Sequence, residues 1–357
     1  MRILITGSSG FLGRHVTSLL SHDHNLVTPT RNELDLLKLS PVTWQHPSYR
    51  GYIGDKITPM ETVAGATRLA RYLEDNGIEA IIHLAATCGG IGINKDNPGK
   101  FIYENLQMGV HVVEAARQAN IKKLVLMGTV CMYPKFTPVP FREEDLWNGY
   151  PEETNAPYAI AKKAVIEMAM GYHRQYGLNV TNLLPANMAG EHDHFDEYSS
   201  HVIPAIIKKF ENPETWAYYD ADGMYDRDMS YVKLWGTGKA SREFLYAGDC
   251  ARAIAISLEK DTGPEPINLG TGREISIKHL AELIREIGGY DATLHWDHTK
   301  PDGQPRRALA LSRAEERLRR LLEGAHGGRA VHVPLLPAAG LRDAPGLRGL
   351  RADPDVR

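Results

Sequence analysis

Arg2-Ile3-Leu4-Ile5-Thr6-Gly7-Ser8-Ser9-Gly10-Phe11-Leu12-Gly13 begins as a short apolar run, passes through glycines spaced G-x-x-G-x-x-G, and continues as a helical pattern to Leu20. A strand feeding a glycine turn that feeds a helix is the context a dinucleotide-binding turn requires. Gly7 permits the tight turn, Gly10 lets the backbone approach a pyrophosphate, and Gly13 allows close packing at the helix start. Phe11, Leu12 and Arg14 flank the free N–H groups there, which favour anions. A glycine turn with no ligand is the alternative. The next strand, Asn25-Leu26-Val27-Thr28, leads to Arg31 rather than to a carboxylate. An acidic residue would hold a ribose 2′-hydroxyl, whereas Arg31, with Arg14, neutralises a 2′-phosphate, so the pattern favours NADP(H) over NAD(H). A solvated surface arginine is the competing explanation.

Outward from this turn, strands and helices alternate. Residues 64–77 are helical with Leu69, Tyr72 and Leu73 on one face, and Ile78–His83 is a buried strand running into Leu84, Ala85 and Ala86. The small Ala85-Ala86 pair suits close approach to a cofactor. Cys88-Gly89-Gly90-Ile91-Gly92-Ile93 follows, either as a loop that closes over a ligand or as a plain connection. A helix over 101–120 carries Asn105, and the strand Ile121–Met127 delivers Gly128-Thr129-Val130-Cys131 to its carboxyl end. Tyr158 and Lys162 are four apart on a helix running to about Tyr176, so they share a face. A hydroxyl, a phenol and an ammonium then converge on one carbonyl oxygen, with the cation expected to lower the phenol's pKa. After the strand Val180–Leu184 the pattern turns irregular through Pro185-Ala186-Asn187-Met188 and the Tyr/Asp-rich stretch 214–231. Helices are expected from Ser200-His201 through Lys209, over 249–258 and over 277–287. Lys300-Pro301-Asp302-Gly303-Gln304-Pro305-Arg306-Arg307 is a basic loop suited to a diphosphate, or a solvated turn.

The expected fold is α/β, a Rossmann-type doubly wound parallel sheet with a smaller α/β substrate-binding lobe. Residues 1–184, with a later contribution from about 234–262, form the NADP-binding domain; 185–233 and 263–323 form the lobe. Residues 37–62 read largely as an inserted loop. Residues 1–312 hold 16 Lys and 16 Arg, whereas 313–357 hold 9 Arg and no Lys, Ile, Phe, Tyr, Trp, Ser, Thr or Asn. That break marks 324–357 as an atypical tail, for which a reading-frame change near residue 312 is one explanation, although Ser312-Arg313-Ala314-Glu315 reads as a helix cap. A net charge of -3 with mixed signs gives no electrostatic footprint for nucleic acid. The absence of a long apolar run argues for no membrane span and a cytoplasmic protein. Cys88, Cys131 and Cys250 form no disulfide framework and no metal-ligand spacing.

Together these motifs resemble the extended short-chain dehydrogenase/reductase family. Gly128–Lys135, Asn155–Lys162, Ser200–Ala205, Trp235–Gly238, Arg242–Leu245 and Lys300–Gly303 are similar to its GDP-L-fucose synthase branch, over roughly residues 1–312. That resemblance implies NADPH-dependent 3,5-epimerisation and 4-reduction of GDP-4-keto-6-deoxy-D-mannose. It implies Cys131 and His201 as an acid/base pair, Tyr158 as proton donor, and Lys162 and Thr129 as its support, with Asn105 positioning the lysine. The nicotinamide half of the site would be lined by Met127, Pro185 and Met188. Asn187, Lys209, Trp235, Arg242, Lys300, Asp302 and Arg306 would hold a GDP-linked sugar. Two amphipathic helices, 101–120 and 156–176, would pair with their copies in a homodimer. A simple nucleotide-sugar epimerase or 4-ketoreductase, and a non-catalytic NADP-binding protein, are the competing functions. The stretch Ala189–His194 departs from the branch's usual pattern beside the expected sugar pocket.

Overall fold

The computed structural model describes residues 1–39, 65–195, 200–219, 225–259, 261–300 and 302–325. Residues 40–62 of the expected inserted loop, and the tail beyond 325, lie outside them. Strands β1 (Arg2–Thr6), β2 (Asn25–Val27), β3 (Ala80–His83), β4 (Lys123–Met127) and β5 (Val180–Pro185) alternate with five helices. These are α1 (Phe11–Leu20), α2 (Gly65–Asp75), α3 (Ile91–Asp96), α4 (Pro98–Gln118) and α5 (Ala156–Tyr176). There follow β6 (Asn187–Ala189), α6 (Val202–Glu211), β7 (Glu214–Tyr219), β8 (Tyr225–Trp235), β9 (Ser241–Tyr246) and α7 (Ala247–Glu259). The described chain closes with β10 (Ile267–Leu269), β11 (Glu274–Ser276), α8 (Ile277–Gly288), β12 (Thr293–Asp297) and α9 (Ser312–Ala325).

Six parallel strands stand in the order β10-β5-β4-β3-β1-β2. Their near-continuous apolar runs fit strands covered on both faces. Alternate side chains separate into two cores, because successive residues of a strand point to opposite faces. Ile3, Ile5, Ile82 and Val125 meet α1 and α7 through Leu12, Val16, Leu20 and Ile254. Leu4, Ile81, Leu124 and Leu126 meet α2, α4 and α5 through Leu69, Leu73, Val112 and Val165. Each fully buried leucine here contributes about 2–5 kcal/mol against truncation to alanine. At its carboxyl end α5 stops at Gly177, whose φ of 70° is the left-handed conformation glycine adopts without steric cost. The chain runs from β1 to β2 on one side and returns to β3 on the other. The crevice for ligands therefore opens at the carboxyl ends of β1 and β3.

The lobe holds two small sheets, β11-β9-β6 and β12-β8-β7, with a third core of Ile206, Phe210, Val232, Leu234 and Leu280 under α6 and α8. Within 263–323, short β10 extends the large sheet beside β5, and Leu318 of α9 joins the α1/α7 core. The stretch 214–231, which lacks a clear period in the sequence, contributes the antiparallel pair β7–β8, on which Trp216 stacks against Tyr231 at 4.9 Å between ring centroids. Cross-strand aromatic pairs of this kind stabilise a sheet without requiring an apolar alternation.

Candidate active site

The fully buried β4 ends at Met127, and Gly128 lets the chain turn beneath α5, since a Cβ there would lie 2.3 Å from Leu184 Cδ2. Thr129 is extended and caps a 3-10 turn over Val130–Met132, its Oγ1 accepting the Cys131 N–H at 3.3 Å. One turn apart on α5, Tyr158 is part-buried and Lys162 buried. Lys162 Nζ donates to the Met127 carbonyl at 3.2 Å and lies 5.9 Å from the centre of the Tyr158 ring. Burial pulls the lysine down to about 8, opposed by the Cys88 thiol. Tyr158 is raised well above its ordinary value, first by burial and then by Cys88 and Cys131. The sequence predicts the opposite direction for this phenol. Burial dominates, and the consequence is a tyrosine that carries its proton at neutral pH and can donate it.

His201 is the N-cap residue of α6, yet its side chain does not cap the helix. Nδ1 instead faces the buried Asp193 carboxylate, at 3.1 Å from Oδ1 and 3.3 Å from Oδ2. The hydrogen bond to Asp193 raises the histidine's pKa against the opposing effect of burial. Cys131 meets a cation: Arg307 Nη1 lies 3.6 Å from its Sγ, and the same guanidinium donates to Gln304 Oε1 through Nε at 3.1 Å and Nη2 at 2.9 Å. Cys88 is exposed, yet the surrounding protein pushes its thiol up, with Lys162 opposing and Asp193 and Cys131 adding to the rise. Cys88 follows β3 and lies within electrostatic reach of Lys162, Asp193 and Cys131.

Of the cofactor residues, Gly7 has a φ of +74°, and a Cβ on it would lie 2.7 Å from the Ala85 nitrogen. A Cβ on Gly13 would sit 2.1 Å from the Gly7 oxygen. Gly10 leaves the start of α1 without a side-chain cap, so its N–H groups face outward. The turn thus fits a dinucleotide's pyrophosphate, with Phe11 and Leu12 in the first turn of α1 and Ala85 and Ala86 following β3. Arg14 Nε donates to the Ser9 carbonyl at 3.1 Å. Arg31 is 72% exposed in its side chain and 3.4 Å from Asp35, leaving most of its guanidinium open to an anion. Pro185 ends β5, and Met188 packs part-buried on the α1/α7 core. The Asn105 amide donates to the carbonyls of Thr87 and Phe101 and accepts the Thr87 N–H, fastening the Cys88 loop to α4. The Cys88–Ile93 stretch gives way to the short α3.

The sugar-nucleotide residues fall in two groups. Lys209, Trp235 and Lys300 line one cavity of about 250 Å³ with Tyr231 and Asp297, and Lys300 Nζ lies 5.6 Å above the Trp235 ring. Asp302 fastens the 300s loop to Thr237 through its backbone N–H at 2.6 Å and its hydroxyl at 2.7 Å. Arg242 donates to the Gln304 and Ser241 carbonyls. It is pulled down to about 10 by burial and then by neighbouring Arg307. A part-buried and a buried guanidinium in electrostatic reach of each other form a ready site for a multiply charged anion. Asn187 donates to the Glu243 carbonyl at 3.0 Å. Arg306 points elsewhere, forming a two-point pair with Glu274. The adjacent Arg307 is the one that faces Cys131. Asp193 carries no assignment from the sequence, and within the basic loop 300–307 the sequence does not separate Arg306 from Arg307; the alternation of side chains along the extended stretch beside β9 is the signal that does.

A doubly wound sheet with a glycine turn at its switch point, and a Tyr-x-x-x-Lys pair beside Thr129, defines a nucleotide-cofactor enzyme of carbonyl chemistry. The chain belongs to the NAD dependent epimerase/dehydratase family, whose model matches residues 3–270. It is 34% identical over 313 residues to a GDP-L-fucose synthase of Sinorhizobium fredii, covering 87% of this chain and 88% of that protein. Among solved structures it resembles a GDP-6-OMe-4-keto-L-xylo-heptose reductase from C. jejuni, at 26% identity and a TM-score of 0.71, over 88% of this chain and 91% of that one. A GDP-mannoheptose C4 reductase from Campylobacter jejuni with NADP bound matches at 26% identity and a TM-score of 0.68, over 88% and 91% of the two chains.

Proposed function

We propose that this protein is an NADP(H)-dependent enzyme that epimerises carbons 3 and 5 of GDP-4-keto-6-deoxy-D-mannose, or of a close GDP-sugar analogue, and reduces carbon 4. The observation that carries this reading is the end of β4, where Lys162 Nζ bonds the Met127 carbonyl one turn from the proton-carrying Tyr158, and Cys131 follows in the next turn. Tyr158 with Lys162 would serve a carbonyl oxygen, and Cys131 with His201, which is paired with Asp193, would serve the carbons beside it. A 4-keto group acidifies the protons on both neighbouring carbons. Cys131 and His201 take and return those protons on opposite faces, while Tyr158 holds the oxygen. Gly7, Gly10, Gly13, Arg14 and Arg31 would hold the dinucleotide, which supplies a hydride to carbon 4 when bound. Tyr158 then gives its proton to the oxygen, and Lys162 and Thr129 support it. Arg242 and Arg307 pair with the diphosphate, and Trp235 and Lys300 flank the nucleoside.

The relatives named as GDP-L-fucose synthase and as GDP-sugar C4 reductases support a GDP-linked keto sugar and NADP. A homodimer through the exposed faces of α4 and α5 and residence in the cytoplasm belong to the same proposal. The three free thiols fit a reducing compartment. Among the described residues no helix is long and apolar enough to cross a membrane. The structural likeness to C4 reductases favours a second reading, reduction without epimerisation. Purified protein given the GDP-4-keto sugar with NADPH or NADH, followed by nicotinamide absorbance and product stereochemistry, separates the two. The first reading predicts an L-configured product and a preference for NADPH. Consumption of NADPH with carbons 3 and 5 unchanged favours the second.

A further inference from the structure

We infer that Asp193 is the positioning residue of His201, fixing its tautomer and orientation so that Nε2 faces the sugar carbon it serves. This rests on the acid/base role proposed for His201. Nothing in the sequence singles Asp193 out beyond its place in the Ala189–His194 stretch. In the structure its side chain is 3% exposed and both carboxylate oxygens face His201 Nδ1, while His201 remains 45% exposed. A carboxylate can only accept, so Nδ1 carries a proton and donates it. Nε2 is then the nitrogen left to exchange a proton with the sugar. Proton delivery from Nε2 to a carbanion leaves a neutral imidazole whose Nδ1–H stays on Asp193, and reprotonation restores the imidazolium without a change of tautomer.

Asp193 is held by a backbone donor, and its loop is anchored at Glu191. Its Oδ1 accepts the His194 N–H at 2.8 Å. Two residues earlier, the Glu191 carbonyl faces His15 Nε2 of α1 at 3.0 Å, and the Glu191 carboxylate accepts the Tyr246 hydroxyl of β9 at 3.0 Å. The loop that carries the carboxylate is thereby tied to the helix that starts at the glycine turn and to the strand that carries Arg242. The ionisable groups around the pair are Cys88 after β3, Glu191, His192 and His194 on the same loop, and His15 against Glu191. A buried carboxylate of structural purpose would need only enough partners to satisfy it, whereas here both oxygens converge on one exposed imidazole.

The test uses the full chain with Asp193→Asn, Asp193→Glu and His201→Gln variants. Each is incubated with GDP-4-keto-6-deoxy-D-mannose in deuterated water with NADPH omitted, and deuterium at carbons 3 and 5 is followed separately. In parallel, the His201 imidazole of wild type and Asp193→Asn is titrated by NMR. Asp193→Asn should slow exchange on the order of 10²-fold at the carbon dependent on His201. Its His201 should titrate at lower pH than in wild type, Asp193→Glu should recover part of the rate, and the unfolding midpoint should stay within a few degrees. Exchange within two-fold of wild type together with an unmoved titration overturns the proposal. If wild type exchanges neither carbon, the substrate assignment fails, and the titration alone decides: a downward shift supports the positioning role and no shift overturns it.

Discussion

Lys162 holds its charge against burial, and two opposite effects follow. Its pKa of about 8 lies below that of a free lysine, so between roughly pH 8 and 10.5 the unfolded chain binds more protons than the folded one. This group therefore costs stability below pH 8, and the cost is relieved as pH rises through that window. Replacing it with methionine should stabilise the ligand-free protein by about 1–3 kcal/mol at pH 7, read as a rise in the unfolding midpoint, while carbonyl reduction falls about 10²- to 10⁴-fold. A midpoint that falls instead would mean that the bond to the Met127 carbonyl outweighs the burial of the cation. In wild type, reduction should decline as pH rises through about 8 and the ammonium discharges. The placement of Thr129 and Cys131 after a strand end and of Tyr158 and Lys162 on one helix face was legible in the sequence, because local spacing fixes it. The pairing of Arg307 with Cys131 was not, because 176 residues separate them, and that of Asp193 with His201 was not, because it crosses a stretch with no helical or strand period. The raised pKa of Tyr158 was equally illegible, since burial depends on everything packed around it.

Among elements, β9 carries the joint between the two parts of the molecule. Glu243 is 1% exposed, and its carboxylate accepts backbone N–H groups of Thr271, Gly272 and Leu309. Burial raises its pKa, and the three N–H donors oppose that rise. Glu243→Ala leaves buried donors without an acceptor and should cost about 3 kcal/mol or more, measured by chemical denaturation. A loss under 1 kcal/mol would mean that water replaces the carboxylate. The large sheet was legible because each strand is a short apolar run bounded by turn residues, and each helix repeats its apolar positions at three and four residues. β10 was not: three residues carry too little pattern, and the neighbour that makes Ile267-Asn268-Leu269 a strand is β5, more than eighty residues earlier. The pairing of β7 with β8 was hidden for a related reason, because Trp216 finds its partner Tyr231 only across the strands.

For the whole molecule, α4 and α5 pack closely where Gly109 meets Val165, and the outer face of α4 leaves Tyr103 63% and Val110 42% exposed. Light scattering on a size-exclusion column should give a dimer, and Tyr103→Glu with Val110→Glu should shift it toward monomer; a wild-type monomer at micromolar concentration would remove the proposed interface. The central claim is that one keto group serves both halves of the reaction, acidifying its neighbours first and accepting hydride last. Purified enzyme, GDP-4-keto-6-deoxy-D-mannose and NADPH in deuterated water test it most directly. The product should carry deuterium at both carbon 3 and carbon 5 and protium from the cofactor at carbon 4, and a Cys131→Ser variant should lose the exchange while its fold persists. NADPH consumed with no deuterium at either carbon, or exchange at both carbons unchanged in Cys131→Ser, would contradict it.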